Sequence, residues 1–185
     1  MKTNKKDLEF LGKECWKYIK TVADIVREPI LILDKDLHVM SANESFYRMF
    51  QVEKRDTEGK FIYELGNGQW NIPALRKLLE DILPKNTFFK DFEITHEFPF
   101  IGRKVMILNA RQIHTVENGN PPLLPPIIFL AIEDVTIMMV VAETLAVQVK
   151  ELASKNAERT EKLEIRIEEL KGEISLLKSK PIIIN

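Results

Sequence analysis

Few groups in this chain could do chemistry. It has three histidines (His38, His96 and His114) and one cysteine (Cys15). The histidines fall in different predicted strands, so no Ser/His/Asp or Cys/His arrangement for nucleophilic attack is signalled. The glycines do not form a phosphate loop. A lone cysteine excludes an internal disulfide and any cysteine metal cluster. Carboxylates are plentiful, but they lie mostly on charged faces, as solvated residues do. The expectation is a protein with no catalytic residues, no metal site and no enzyme activity.

Binding is better served. In the run Phe88 to Phe98, strand alternation puts Phe92, Ile94, His96 and Phe98 on one face, opposite Asp91, Glu93, Thr95 and Glu97. A polar ring on an apolar face needs a partner. His96 could hold a ligand, sense pH or act as an axial metal ligand; the alternative is a core histidine bonded to a backbone carbonyl. Asn67 and Trp70, in Gly66-Asn-Gly-Gln-Trp70, could line a ligand mouth, or form a turn and a plug at the core edge. Asn109 and Arg111 share a strand face with Val105 and Ile107. There they could reach an anionic ligand or pair with an acidic neighbour. Asn67, Trp70, His96, Asn109 and Arg111 are therefore the candidate ligand-binding residues.

Strands and helices must hold these groups. Residues 8 to 26 read as a helix, with Leu8, Leu11, Cys15, Ile19, Val22, Ile25 and Val26 on one stripe. Pro29 forces an extended entry. Ile30 to Leu33 and His38 to Ser41 are β-prone and split by the polar turn Asp34-Lys35-Asp36, which predicts a hairpin. Asn43 is placed to cap a short helix whose apolar face is Phe46, Met49 and Phe50. A broken region with Gly59, Gly66 and Gly68 follows. Pro73 opens a helix with Leu75, Leu78, Leu79, Ile82 and Leu83 on one face, and Pro84 is expected to stop it. Phe88–Phe98, Lys104–Ile113 and Ile127–Glu133 are three further strands, the last two joined by a loop with Pro121, Pro122, Pro125 and Pro126. Strands at both ends with helices between them predict an α+β fold. It has a five-stranded antiparallel sheet with helices on one face, flanked by an N-terminal helix and a long C-terminal helix.

The last stretch has a different character. From Glu143 to Lys180 there is no aromatic residue, no proline and a single glycine, Gly172. Leu145, Val149, Leu152 and Asn156 recur at four-three-four spacing, and Leu163, Ile167, Leu170, Ile174 and Leu177 repeat it. So narrow a stripe suits a coiled-coil seam. The two runs are out of step by four residues around Arg159, which reads as a stutter. Glu151/Lys155 and Glu158/Lys162 sit four apart in the favourable order. One chain cannot bury this seam on itself, so the pattern predicts a parallel homodimer, with Asn156 favouring two strands. The other reading is a lone solvated helix.

Size and charge bound the rest. Of 185 residues, removing this helix and the leader leaves roughly 110, the size of one core. Formal net charge is −1, with 27 basic and 28 acidic residues, so no global field favours nucleic acid or an anionic membrane. No apolar run approaches the ~18 residues that cross a bilayer. MKTNKKDLEF lacks the apolar core of a signal peptide, and the expected setting is cytoplasmic.

Four short motifs, in order, resemble the PAS sensor family. Glu28-Pro-Ile-Leu-Ile-Leu-Asp34 is similar to the opening PAS strand. Ser41-Ala-Asn-Glu-Ser-Phe46 is similar to the second strand running into the first helix, with Asn43 in the capping position. Tyr63-Glu-Leu-Gly-Asn-Gly-Gln-Trp70, followed by Ile72-Pro73, resembles a variant found in bacterial and archaeal signalling proteins. Glu133-Asp134-Val135-Thr136 is similar to the Asp-x-Thr ending that hands the sheet over to an output helix. The resemblance covers about residues 22 to 136.

It implies a sensor of small molecules, redox state or light. Its signal would pass through Asp134 and Thr136 into a coiled coil, to a histidine kinase, a response regulator or another signalling protein. The expected organisation is an amphipathic helix over 1–26, the PAS domain over 27–136, a dimerising output helix over 137–180 and a tail over 181–185. Light-sensing relatives of the LOV type need a cysteine near Gly66–Trp70, and haem-binding ones typically use a histidine on the helix from Pro73 to Leu83. Neither is present, so neither flavin nor haem is supported by the usual residues and the cofactor is left open. No histidine follows His114, so a phospho-accepting helix does not fit. The chain then reads as a stand-alone sensor or adaptor, or as the sensory piece of a longer protein. Its leading function is non-catalytic sensing; the alternative is a ligand-free dimerisation adaptor that recruits a partner.

Overall fold

A computed structural model describes residues 5–113 and 125–179 of the chain. His114, Pro121, Pro122, Lys180 and the 181–185 tail lie outside those residues. The chain divides into two compact units, residues 1–137 and 138–185.

The first unit is built on one sheet. Its strands are β1 (Ile30–Asp34), β2 (Val39–Ala42), β3 (Phe88–Phe98), β4 (Gly102–Ile113) and β5 (Ile127–Asp134), in the order β2-β1-β5-β4-β3 with every pair antiparallel. The hairpin β1–β2 turns where expected: the Asp34 carboxylate accepts the backbone N–H groups of Asp36 and His38, both at 2.9 Å. Leu31, Leu33, Ile94, Phe98, Met106, Leu108, Leu130 and Ile132 fill the inner face beneath the helices.

Those helices are short: α2 (Glu44–Phe50), α3 (Lys54–Thr57), a 3-10 turn (Ile62–Glu64), α4 (Leu65–Gly68), α5 (Pro73–Arg76) and α6 (Leu83–Asn86). A π-helical segment, Lys77–Ile82, joins α5 to α6. The expected stop at Pro84 is therefore corrected, because the helix runs on through Asn86. Within the widened segment the N–H of Leu83 bonds the carbonyl of Leu78, five residues back. Such a turn spends one extra residue, which relieves the clash a proline ring makes with the carbonyl four residues earlier.

Helix α1 (Lys5–Ile25) packs on the outer face of the sheet. The single stripe expected for it divides into two. Trp16, Ile19, Ala23 and Val26 pack with Ile30, Ile32 and Ile127. Leu11, Tyr18, Val22 and Ile25 remain 45%, 69%, 62% and 75% exposed. The stripes are offset by one residue, about 100° around a helix, so α1 is apolar on two adjacent faces and the sheet covers only one.

The described residues of the second unit, 138–179, belong to helix α7 (Thr136–Ser179), 44 residues without a break. At ~1.5 Å per residue it is about 66 Å long. Leu145, Val149, Leu152, Leu163, Ile167, Leu170 and Ile174 are all exposed, between 42% and 65%. The pairs Arg166–Glu169 and Lys171–Glu168, each at 2.7 Å, run along its polar surface.

Candidate functional site

The five residues expected to bind a ligand do not converge on one place. Asn67 and Trp70 come together on the inner side of the sheet. They line a groove of about 340 Å³ with Phe50, Gln51, Val52, Gln69, Phe98, Phe100 and Ile101. Three consecutive residues of positive φ, Gly66 (57°), Asn67 (59°) and Gly68 (85°), turn the chain there. Asn tolerates that conformation better than most residues, and a β-branched side chain would strain it.

Behind the groove lies an aromatic cluster. Trp70 meets Phe50 edge-on at 4.7 Å and lies tilted against Phe46 at 5.5 Å and Phe98 at 5.7 Å, measured between ring centroids. Trp70 is thus both groove wall and core plug, being only 3% exposed. The three amides Gln51, Asn67 and Gln69 supply donors and acceptors at the rim, and the lining carries no charged side chain. Its volume and chemistry suit a small, uncharged, flat molecule with polar edges. Phe100, 84% exposed at the lip, has little else to pack against.

His96 lies on the predicted face, next to Phe98 with ring centroids 4.7 Å apart. It is half-buried, and its ring makes no hydrogen bond among the described residues. It adjoins the groove through Phe98 without lining it.

Asn109 and Arg111, on one strand face as expected, point to the other side of the sheet, away from Asn67 and Trp70. They line a separate apolar groove of about 370 Å³ with Ile30, Phe88, Phe129 and Ala131. Asn109 already has a structural task. β3 carries a bulge between Phe89 and Phe92, where Asp91 takes φ 56°, and the Asn109 side-chain oxygen accepts the Asp91 N–H at 2.9 Å. The bulge also explains why Phe89 is buried while Phe88 is exposed, because an extra residue flips the alternation.

The joint between the sheet and α7 is well defined. The Asp134 carboxylate accepts the backbone N–H of Thr136 at 3.0 Å and also the Thr136 hydroxyl. On its other side it meets Lys104 Nζ at 2.7 Å. The Thr136 hydroxyl oxygen accepts the Val105 N–H at 2.9 Å, and the Val135 N–H bonds the Val105 carbonyl at 2.9 Å. The start of α7 is thereby tied to β4. Burial by itself would raise the Asp134 pKa; hydrogen bonds from Lys104 and Thr136 outweigh it and hold the carboxyl below its ordinary value.

Two residues mattered more than their sequence signals indicated. Asn43 caps α2 by accepting the Phe46 N–H at 3.0 Å, yet it also accepts the Ile30 N–H at 2.9 Å. Its amide donates to the carbonyls of Ala23, Val26 and Glu28 at 3.0, 3.2 and 2.9 Å. It therefore bonds the end of α1, the linker, β1 and α2 together. Lys104 was an unremarked cation at the start of a strand. The signal for it was pairing: in adjacent antiparallel strands the start of β4 must lie beside Asp134 at the end of β5.

Comparison with known proteins agrees with this architecture. Residues 17–84 match the family model for the PAS domain. No curated protein matches the chain. Among solved structures, the LOV protein of Rhodobacter sphaeroides is 16% identical with a TM-score of 0.52, over 67% of this chain and 68% of that one. The PAS domain of BvgS from Bordetella pertussis is 17% identical with a TM-score of 0.49, over 75% and 98% of the two chains. The photoactive yellow protein domain of the sensor histidine kinase Ppr from Rhodospirillum centenum is 14% identical with a TM-score of 0.48, over 62% and 91%. At these identities the likeness is one of fold.

The first unit has a PAS-like fold, the architecture typical of sensor domains in signalling proteins. PAS domains are in general non-catalytic sensor modules. No described helix is long and apolar enough to cross a membrane.

Proposed function

We propose that this protein is a non-catalytic dimeric sensor. A small ligand enters the groove at Asn67 and Trp70, and the response leaves through Asp134 and Thr136 into α7. The observation that carries this reading is the pair of exposed heptad stripes on the two flanking helices. On α1, exposed Leu11, Tyr18, Val22 and Ile25 with half-buried Cys15 keep four-three-four-three spacing, and on α7 the seam runs from Leu145 to Ile174. Apolar rows of that spacing are hidden by another helix, and a second copy supplies matching ones. Histidine kinases and response regulators are natural recipients of such a signal, since PAS domains of this fold occur within sensor histidine kinases.

Sedimentation of the intact chain beside a version ending at Val140 tests the reading. We expect a dimer for the intact chain at micromolar concentration and weaker association for the short one. Monomers in both cases would refute it.

One observation favours the adaptor alternative: the aromatic cluster of Phe46, Phe50, Trp70 and Phe98 fills the space between helices and sheet. Native mass spectrometry of gently purified protein separates the two readings, because a retained small molecule supports the sensor and its consistent absence supports the adaptor.

A further inference from the structure

A third groove, of about 550 Å³, is lined by Arg27, Pro29, Ser45, Arg48, Met49 and Lys104. Its three cations come from three different elements: the linker after α1, helix α2 and strand β4. No acidic side chain is among the residues that line it. Arg55, Arg76 and Arg166 each pair with a carboxylate at 2.7–2.9 Å. Arg27 and Arg48 have no such partner among the described residues. Like charges gathered with too little counter-charge repel one another, and an anion between them removes that cost.

The charge indicates the anion. Arg27, Arg48 and Lys104 supply three positive charges and Asp134, bonded to Lys104, takes one back, leaving two. A phosphate monoester carries about −1.5 to −2 at pH 7. Two guanidinium forks match phosphate oxygens in bidentate fashion, and the Ser45 hydroxyl adds a donor. We propose that this groove binds a small phosphate-bearing molecule, and that the bound dianion draws Lys104 away from Asp134.

The consequence follows from linkage. Lys104 shares Asp134 with the first turn of α7, so an anion competing for Lys104 changes how firmly that carboxylate holds Thr136. Coupling of this kind is reciprocal: weakening the Lys104–Asp134 pair must strengthen anion binding by the same factor. The site is distinct from the groove at Asn67 and Trp70, and phosphate binding is read whether or not α7 dimerises.

Heteronuclear NMR of the full chain, titrated with inorganic phosphate at constant ionic strength held by chloride, provides the test. We expect saturable shifts at the amides of residues 27, 48 and 104 and of 134–136. Arg27→Ala and Arg48→Ala, both at exposed positions, should each weaken binding about tenfold. Asp134→Ala should tighten it several-fold. A parallel arm uses phosphatidylglycerol vesicles, to separate a lipid headgroup from a free phosphate. Shifts that do not saturate, that chloride reproduces, or that persist unchanged in both arginine variants would overturn the proposal. So would vesicle binding without a saturable phosphate response.

Discussion

Asn43 shows how much one buried amide can organise. With 1% of its surface exposed it makes five hydrogen bonds to backbone groups of four segments. Asn43→Ala removes a helix cap, worth about 0.5–2 kcal/mol. It also strands buried backbone partners at about 1–3 kcal/mol each. We expect a loss of about 3 kcal/mol or more by urea denaturation, and a loss below about 1 kcal/mol would reduce Asn43 to an ordinary cap. Asp134 makes a different prediction, through pH. Its folded pKa lies below the ordinary 3.8, so its contribution is present above that value and is lost as pH falls from there through the lowered one. Stability of the parent should drop over that acid range, and Asp134→Asn should drop less. Equal acid profiles would leave the Lys104–Asp134 pair without energetic weight.

At the scale of elements, periodicity was the most legible signal. The five strands, the cap at Asn43 and the long α7 could all be read from spacing, because each has one face against the core or a repeat of its own. What escaped were features in which backbone geometry overrides pattern. The bulge at Lys90–Asp91 changes the parity of β3, and nothing in the sequence announces it except that Phe88 and Phe89 cannot both face the core. The π-helical segment carries the chain through Pro84, where propensity alone predicts a stop. In α1 the sequence shows too many apolar residues for one stripe, and only the sheet decides that Trp16 and Ala23 belong to the covered one. The uncovered row makes the prediction at this scale. Because Tyr18 and Val22 are 69% and 62% exposed, the double change Tyr18→Glu and Val22→Glu should leave the thermal midpoint of the diluted domain nearly unchanged. It should weaken association measured by sedimentation. Association as strong as the parent's would remove α1 from the proposed interface.

For the whole molecule, function was less legible than fold. Four motifs in order sufficed to identify the PAS architecture, since each marks a place where backbone must turn or be capped. The candidate ligand residues were chosen one by one for polarity, and polarity does not say where a side chain points in three dimensions. Asn67 and Trp70 meet in one groove, while Asn109 and Arg111 lie across the sheet and His96 stands beside Phe98. The contacts of Asp134 with Thr136 lie where the Asp-x-Thr resemblance put the end of the sheet; the third member, Lys104, needed the strand register.

In the proposed route this joint governs helix α7. Spin labels at exposed positions of α7, in the parent and in Asp134→Ala, report the distance distribution across the proposed dimer. A governing joint predicts that the variant keeps its folded core while the distribution broadens or shifts. A distribution as narrow as the parent's, centred at the same distance, would contradict the claim.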